Sequence, residues 1–360
     1  MSYWLYIYIW VMMILFFVKK IGNENLAKSI YWLGVGVVLI IFIGFRKGVG
    51  TDYWGYVEYF DLMKYGWLDG FLEPGYVLLM RISLMIFGDS EVGALLLSAI
   101  VSYVAILYAI QKYSTDVFLS FLVLFGLGFI FISVNQVRQF IAVTIVILSF
   151  SDIWNRRIAL FFLKICFAGL IHYSAFIVLP LYLLIFRPVP LVFFWVLGVL
   201  AFMINYIDAF QAYIMHPLLI WSTPDVYSGY MYERLVTRSI GVRSGLGVMI
   251  SGFIGIGILL FLRHRYEGLS DKVRILFNIA LIGQFFLLAT ADLWAVSRIA
   301  YYFIIAWVLL APHLFEELRK AYNGLIIQYI AIMYWVVLYI QRVFFLEDGR
   351  AALEYSSYLF

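Results

Sequence analysis

SIYWLGVGVVLIIFIGF, residues 29–45, is an unbroken apolar run that ends directly on RKGVGTDY, residues 46–53. At about 1.5 Å per helical residue, a run of this length roughly matches a hydrocarbon core of about 30 Å. Comparable runs recur near 2–18, 91–110, 117–134, 137–152, 158–171, 173–187, 190–207, 245–263, 273–290, 296–315 and 323–342. The chain is 65% hydrophobic and 13% charged, with a mean hydropathy of +0.99. A soluble domain of 360 residues cannot hide that much apolar surface. The reading is an all-α, polytopic integral membrane protein with about twelve transmembrane helices, forming a single transmembrane domain over residues 1–360.

The run ending at Val18 is followed by Lys19-Lys20, with no basic region before it and no small-residue cleavage site after it, so it reads as a retained span. Lys28, Lys112, Arg156, Arg157, Arg187, Arg263, Arg265, Lys272, Arg274, Arg319 and Lys320 all fall on one face if the spans alternate. That face is the cytoplasm by the positive-inside rule, which puts both ends of the chain outside. Counting residues 75–88 as a span would break this parity. Being short and carrying Arg81, that stretch is expected to lie in the interface or re-enter it. Two outward segments then remain, 46–90 and 208–244, both rich in Tyr, Trp, Gly and charge.

Orientation accounts for the net charge of +4, so nucleic acid is not an expected partner; membrane lipids are. The single cysteine, Cys166, lies in an apolar run and offers neither a disulfide framework nor a thiolate metal site. No zinc spacing, Walker loop, nucleophile elbow or dinucleotide fingerprint appears, and neither metal nor cofactor is expected.

Polar residues at the outward boundaries form a few clusters. Arg46 and Lys47 run against the positive-inside bias, which anion binding would explain, and Asp52 adds a carboxylate within reach of a sugar hydroxyl. The segment continues to Glu73-Pro74-Gly75-Tyr76. A polar turn capping the span, with Arg46 snorkelling to headgroups, explains the same residues. Asn135-Gln136-Val137-Arg138-Gln139 is costly at the membrane surface unless it faces a cavity, a helix or a ligand, and Arg138 is the strongest single phosphate-binding candidate. His172, followed by Tyr173, suits a general base or a donor to pyrophosphate, while a lone histidine in an apolar run is also commonly a packing residue. Arg234, Arg238 and Arg243 place three cations in the second outward segment, whose aromatic residues fit a glycan groove or an interfacial belt equally. Ser297-Arg298, close to Asp292, reads as a helix-tying ion pair or as part of an anion site.

These clusters occur in a characteristic order: R-x-G-x-G-T-D-Y at 46–53, E-P-G-Y at 73–76, N-Q-x-R-Q-x-x-A at 135–142, H-Y-S-A at 172–175, and S-R at 297–298. The pattern resembles the EpsG/Wzy-type polysaccharide polymerases of bacteria over nearly the whole chain. The resemblance implies a glycosyltransferase with a GT-C-like architecture and juxtamembrane helices, working on O-antigen, capsule or exopolysaccharide at the outer face of the bacterial inner membrane. Such an enzyme passes a growing glycan from undecaprenyl pyrophosphate to an incoming lipid-linked unit, with a flippase and a chain-length regulator as partners. Displacing pyrophosphate builds negative charge, a task for Arg46, Arg138 and Arg298; Asp52 or His172 would activate the accepting hydroxyl. Lys47, Glu73, Asn135, Gln136, Gln139, Tyr173, Arg234, Arg238 and Arg243 are the expected substrate-binding residues. A lipid-linked oligosaccharide flippase or transporter is the competing reading, although candidate residues gathered on one face favour an enzyme.

Overall fold

The computed structural model describes residues 3–67, 72–184, 268–290, 297–319, 324–345 and 355–359, with isolated helical positions at 196, 199, 200 and 203. The chain divides into two compact units, one comprising Met1–Phe176 with Trp307–Phe360 and the other Ile177–Ala306. Every element of three or more residues among the described residues is helical.

In the first unit the helices are α1 (Tyr3–Val18), α2 (Glu24–Gly44), α3 (Tyr53–Lys64), α4 (Pro74–Phe87), α5 (Glu91–Tyr113), α6 (Val117–Gly126), α7 (Phe129–Asn135), α8 (Val137–Trp154) and α9 (Ile158–Ile171). The second unit contains α10 (Leu181–Leu184) and α11 (Asp271–Ala289). Then come α12 (Ala306–Arg319) and α13 (Gly324–Phe345). Local chemistry sets several starts. Asn23 accepts from Leu26 N at 3.1 Å and Asp116 from Leu119 N at 3.2 Å, each satisfying a donor that the first helical turn leaves open. Pro74 opens α4, where a missing N–H costs nothing.

Among the described residues five helical stretches are long and apolar enough to cross a membrane: Glu24–Gly44, Glu91–Tyr113, Val137–Trp154, Asp271–Ala289 and Arg298–Glu317. The pair α6 and α7, bent by 57°, makes a sixth if it counts as one span. The expected twelve are therefore not reached among the described residues. Tyr3–Val18 and Ile158–Ile171 are helices of 16 and 14 residues, short for a span, and Tyr173–Leu183 is a short apolar helix. Most of 190–207, all of 245–263 and the outward segment 208–244 lie outside the described residues. Residues 46–90 hold two helices where sequence suggested one. α3 exposes Trp54, Glu58 and Asp61, and α4 buries Tyr76, Val77, Leu79, Met80 and Ser83 while exposing Leu78, Ile82, Met85 and Ile86.

Lipid is as apolar as leucine, so burial alone does not pull helices together in a membrane; close packing and polar contacts do. In the first unit α5 packs against α2, α4 and α8, and α9 runs along α8. Three buried tyrosines find an acceptor or a hydroxyl on another helix: Tyr31 donates to Leu107 O at 2.9 Å, Tyr339 to Trp4 O at 2.6 Å, and Tyr103 lies 2.9 Å from Ser133 Oγ. Tyr339 also stacks on Tyr8 at 4.5 Å, tying α13 to α1. At the far end of α8 the Asp152 carboxylate is buried and held by Lys164 Nζ of α9 at 2.5 Å.

Removing only the cation of that pair leaves a stranded buried carboxylate. Lys164→Met is expected to lower stability by about 3 kcal/mol, and adding Asp152→Leu should recover most of it. Denaturation in detergent micelles checks this; equal losses in the single and double variants would show that the pair carries no special burden.

Candidate active site

Three helix ends meet at Glu73. The residue caps the start of α4, where its backbone carbonyl accepts from Tyr76 N and Val77 N, each at 3.1 Å. Gly75 follows because α4 touches the end of α9: a Cβ there would stand 2.8 Å from Leu170 O. That contact delivers the next residue but one of α9's chain, His172, to Glu73. His172 is extended (φ −155°, ψ 112°), ending α9 and turning its ring toward the carboxylate. Arg138 comes from the first turn of α8, just after a break in the helix at Gln136 (φ −122°, ψ 57°).

The Glu73 side chain is buried, 2% exposed, and both oxygens are engaged. Oε2 accepts from Arg138 Nη1, and Oε1 lies 2.8 Å from His172 Nδ1 and 3.4 Å from Tyr173 N. Arg138 also lies over the Tyr59 ring of α3, its guanidinium carbon 5.7 Å from the centroid. Burial by itself raises the Glu73 carboxyl, but the His172 hydrogen bond and the charges of Arg138 and His172 outweigh it and hold the group down at about 2. Glu73 is thus an acceptor at neutral pH. The shared hydrogen must come from Nδ1, so whenever the ring is uncharged its lone pair is on Nε2. With its side chain 26% exposed, His172 is the member of the cluster most open to a ligand.

The other predicted residues take varied places. Arg46 is 1% exposed, and its guanidinium donates to Ile43 O at 2.7 Å, Val49 O at 3.3 Å and Val134 O at 3.3 Å. It joins the end of α2, its own loop and the end of α7 through backbone carbonyls. Asn135 is buried and its Oδ1 accepts from Thr51 N at 2.8 Å. Gly50 (φ 105°) makes this approach feasible, because a Cβ there would sit 2.8 Å from Asn135 Oδ1. Gln136 and Gln139 are buried, and Gln136 Oε1 has no hydrogen-bond partner among the described residues. Lys47 is exposed, with Nζ 5.2 Å from the Tyr358 ring. Asp52 accepts from Thr51 Oγ1 at 3.2 Å, and among the described residues no hydrogen bond or ion pair joins it to the Glu73 cluster. Tyr173 is half exposed. Arg298 opens a short 3-10 turn in the second unit; Arg234, Arg238, Arg243 and Asp292 lie outside the described residues.

Within the first unit Arg138 and His172 converge on the Glu73 carboxylate, while Arg46 donates to backbone carbonyls. Glu73 stood among the substrate-binding expectations; its central position was readable only as an acid placed before Pro-Gly at a helix start. Tyr59 had no signal beyond being one tyrosine among many.

Glu73→Gln removes the charge that both Arg138 and His172 face. A loss of about 3–5 kcal/mol is expected, the cost of breaking a buried pair from one side. The pH dependence has a definite sign: a depressed carboxyl contributes fully above its ordinary value of 4.5, and the contribution fades as pH falls through about 2. Thermal unfolding in detergent between neutral pH and pH 2 should show this acid-linked loss in the native protein and not in Glu73→Gln; parallel curves would refute the linkage.

Among known proteins, the family model described as EpsG family matches residues 29–358. No curated protein and no solved structure matches the chain.

Proposed function

The chain belongs to the EpsG family, a Wzy-type polymerase-like family, and from that membership we propose a polysaccharide polymerase whose catalytic centre is the Glu73–His172–Arg138 cluster. Its donor is a growing glycan on undecaprenyl pyrophosphate and its acceptor an incoming lipid-linked repeat unit, joined at the outer face of the bacterial inner membrane. O-antigen, capsule and exopolysaccharide are the product classes that such a reaction serves.

One observation carries this reading: a single buried carboxylate holds His172 through Nδ1 and Arg138 through Nη1. In the forward step the acceptor hydroxyl gives its proton to His172 Nε2 while its oxygen bonds to the anomeric carbon of the growing chain. The bond from that carbon to the pyrophosphate oxygen breaks, and its electron pair leaves with undecaprenyl pyrophosphate. Glu73 keeps the imidazole in the tautomer this needs and stabilises the imidazolium that forms, as carboxylates behind catalytic histidines do. Arg138 supplies fixed positive charge beside the site where negative charge develops on the leaving group. Asp52, the other base considered from sequence, lacks any such bond to the cluster. The 57° bend between α6 and α7 is a feature that transporters share, yet it ends in buried Asn135 and Gln136, next to Arg138.

Purified protein in proteoliposomes supplied with lipid-linked repeat units tests the assignment. His172→Ala should lower polymer formation by about 10²–10⁴-fold, and Arg138→Ala by about 10²–10³-fold, while Asp52→Asn keeps most of the rate. Full turnover in His172→Ala would remove the histidine from the chemistry. Translocation of lipid-linked units across the vesicle bilayer, without bond formation, would replace the polymerase reading with the flippase.

A further inference from the structure

Residues 355–359 lie against the loop that leaves α2, and the contacts are dense. The Tyr355 ring stacks on Phe42 with centroids 4.1 Å apart and planes 4° from parallel, and its hydroxyl donates to Phe42 O at 2.7 Å. Lys47 N donates to Ser356 O at 2.9 Å, Tyr358 N to Phe45 O at 2.9 Å and Ser357 Oγ to Phe45 O at 3.0 Å. Arg46 and Ser357 pair as an antiparallel bridge.

The Tyr358 hydroxyl donates to Glu91 Oε1 at 2.9 Å and stands 2.9 Å from the Tyr53 hydroxyl. A phenol has one hydrogen, and here it goes to the carboxylate, so Tyr53 is the donor to Tyr358. The result is a chain of donors from the first residue of α3, through Tyr358, to the first residue of α5. It fixes both helix starts to the far side of the motif loop.

The same loop is gripped from its other side. Arg46 reaches Val134 O and Thr51 N reaches Asn135 Oδ1, at the break after which α8 begins and presents Arg138. Residues 45–52 are thus a wedge held between residues 355–359 and the α7–α8 break. At Gln136 the chain changes direction with only one backbone bond into each helix, its N–H to Ile132 O and its carbonyl from Phe140 N, each at 2.8 Å, and the wedge's bonds to Val134 and Asn135 brace that turn from the side. Catalytic groups tolerate little misplacement: about 1 Å costs about 10²-fold in rate.

Resting on the reading of the Glu73 cluster as the catalytic centre, we propose that residues 355–359 position that centre, with Tyr358 as the positioning residue: its hydroxyl fixes the wedge, and through Val134 and Asn135 the wedge fixes the start of α8 that carries Arg138. Tyr358 touches no reacting group. A strap that merely adds stability would lower the amount of folded protein and leave the rate per folded molecule alone.

Tyr358→Phe removes only the oxygen that bridges Tyr53 and Glu91. In proteoliposomes with lipid-linked repeat units, kcat should fall about tenfold, the effect of one hydrogen bond, with KM within about twofold of native. Hydrogen exchange in residues 45–53 should rise. Combining Tyr358→Phe with Arg46→Lys should cost less than the sum of the two, since both act through one loop. Glu91→Gln, which keeps the shape and weakens the acceptor, should give a smaller fall of the same kind and serves if Tyr358→Phe fails to fold. Native kcat in both variants overturns the proposal, as does a lower kcat with unchanged exchange in 45–53 or with additive costs. These outcomes leave the assignment of His172 untouched, because that is judged by His172→Ala in the same assay.

Discussion

A carboxylate taken out of water must meet positive charge or give up its own, and the organisation of the first unit follows from how Glu73 meets this requirement. It answers with two partners, Arg138 on one oxygen and His172 on the other, 65 and 99 positions away in the chain. For both to arrive, α4 must begin at Glu73, α8 must begin just before Arg138, and α9 must end at His172. Three helix boundaries are thereby tied to one group. Arg138 compensates the buried charge, and the bond from His172 Nδ1 leaves Nε2 unengaged by Glu73 on a partly exposed ring, so one set of contacts both satisfies the carboxylate and orients the imidazole.

The motif loop shows the same economy at one remove. Its cation, Arg46, is spent on three backbone carbonyls, and its glycine at 50 allows the backbone to press on Asn135. In a membrane protein such polar fastening carries weight that apolar burial would carry in water, because lipid gives separated helices no penalty for exposing leucine. Buried tyrosines on α2, α5 and α13 act alike, each joining one helix to another through a hydroxyl.

Individual motif residues turn out to divide by task. In E-P-G-Y the acid binds, the proline starts the helix, the glycine admits α9 and the tyrosine fills the core, being 1% exposed. In N-Q-x-R-Q the asparagine holds the loop and the arginine holds the acid. In H-Y-S-A the histidine ring and the next backbone N–H both reach Glu73. Short motifs in a membrane chain thus mix contacts within the frame and contacts for chemistry, and their residue types alone do not separate the two.

Apolar run length and the scarcity of charge determine by themselves that this chain is helical and built for a membrane, because unsatisfied backbone groups cannot be left in lipid. They also determine where polar residues cluster, since polarity is costly and therefore conspicuous in such a background. Sequence nominated Arg138, His172 and Glu73, yet it ranked Glu73 as one binding residue among several and Arg46 as a phosphate ligand. Only tertiary structure decides that Arg46 donates to three backbone carbonyls, that Glu73 receives both Arg138 and His172, and that residues 355–359 belong beside residues 45–47. The physical reason is the range of the forces involved. Partitioning into lipid is a property of each segment alone, whereas a hydrogen bond or an ion pair exists only between groups a few ångströms apart, and the sequence separation of Glu73 from its partners says nothing about that distance until the helices have packed.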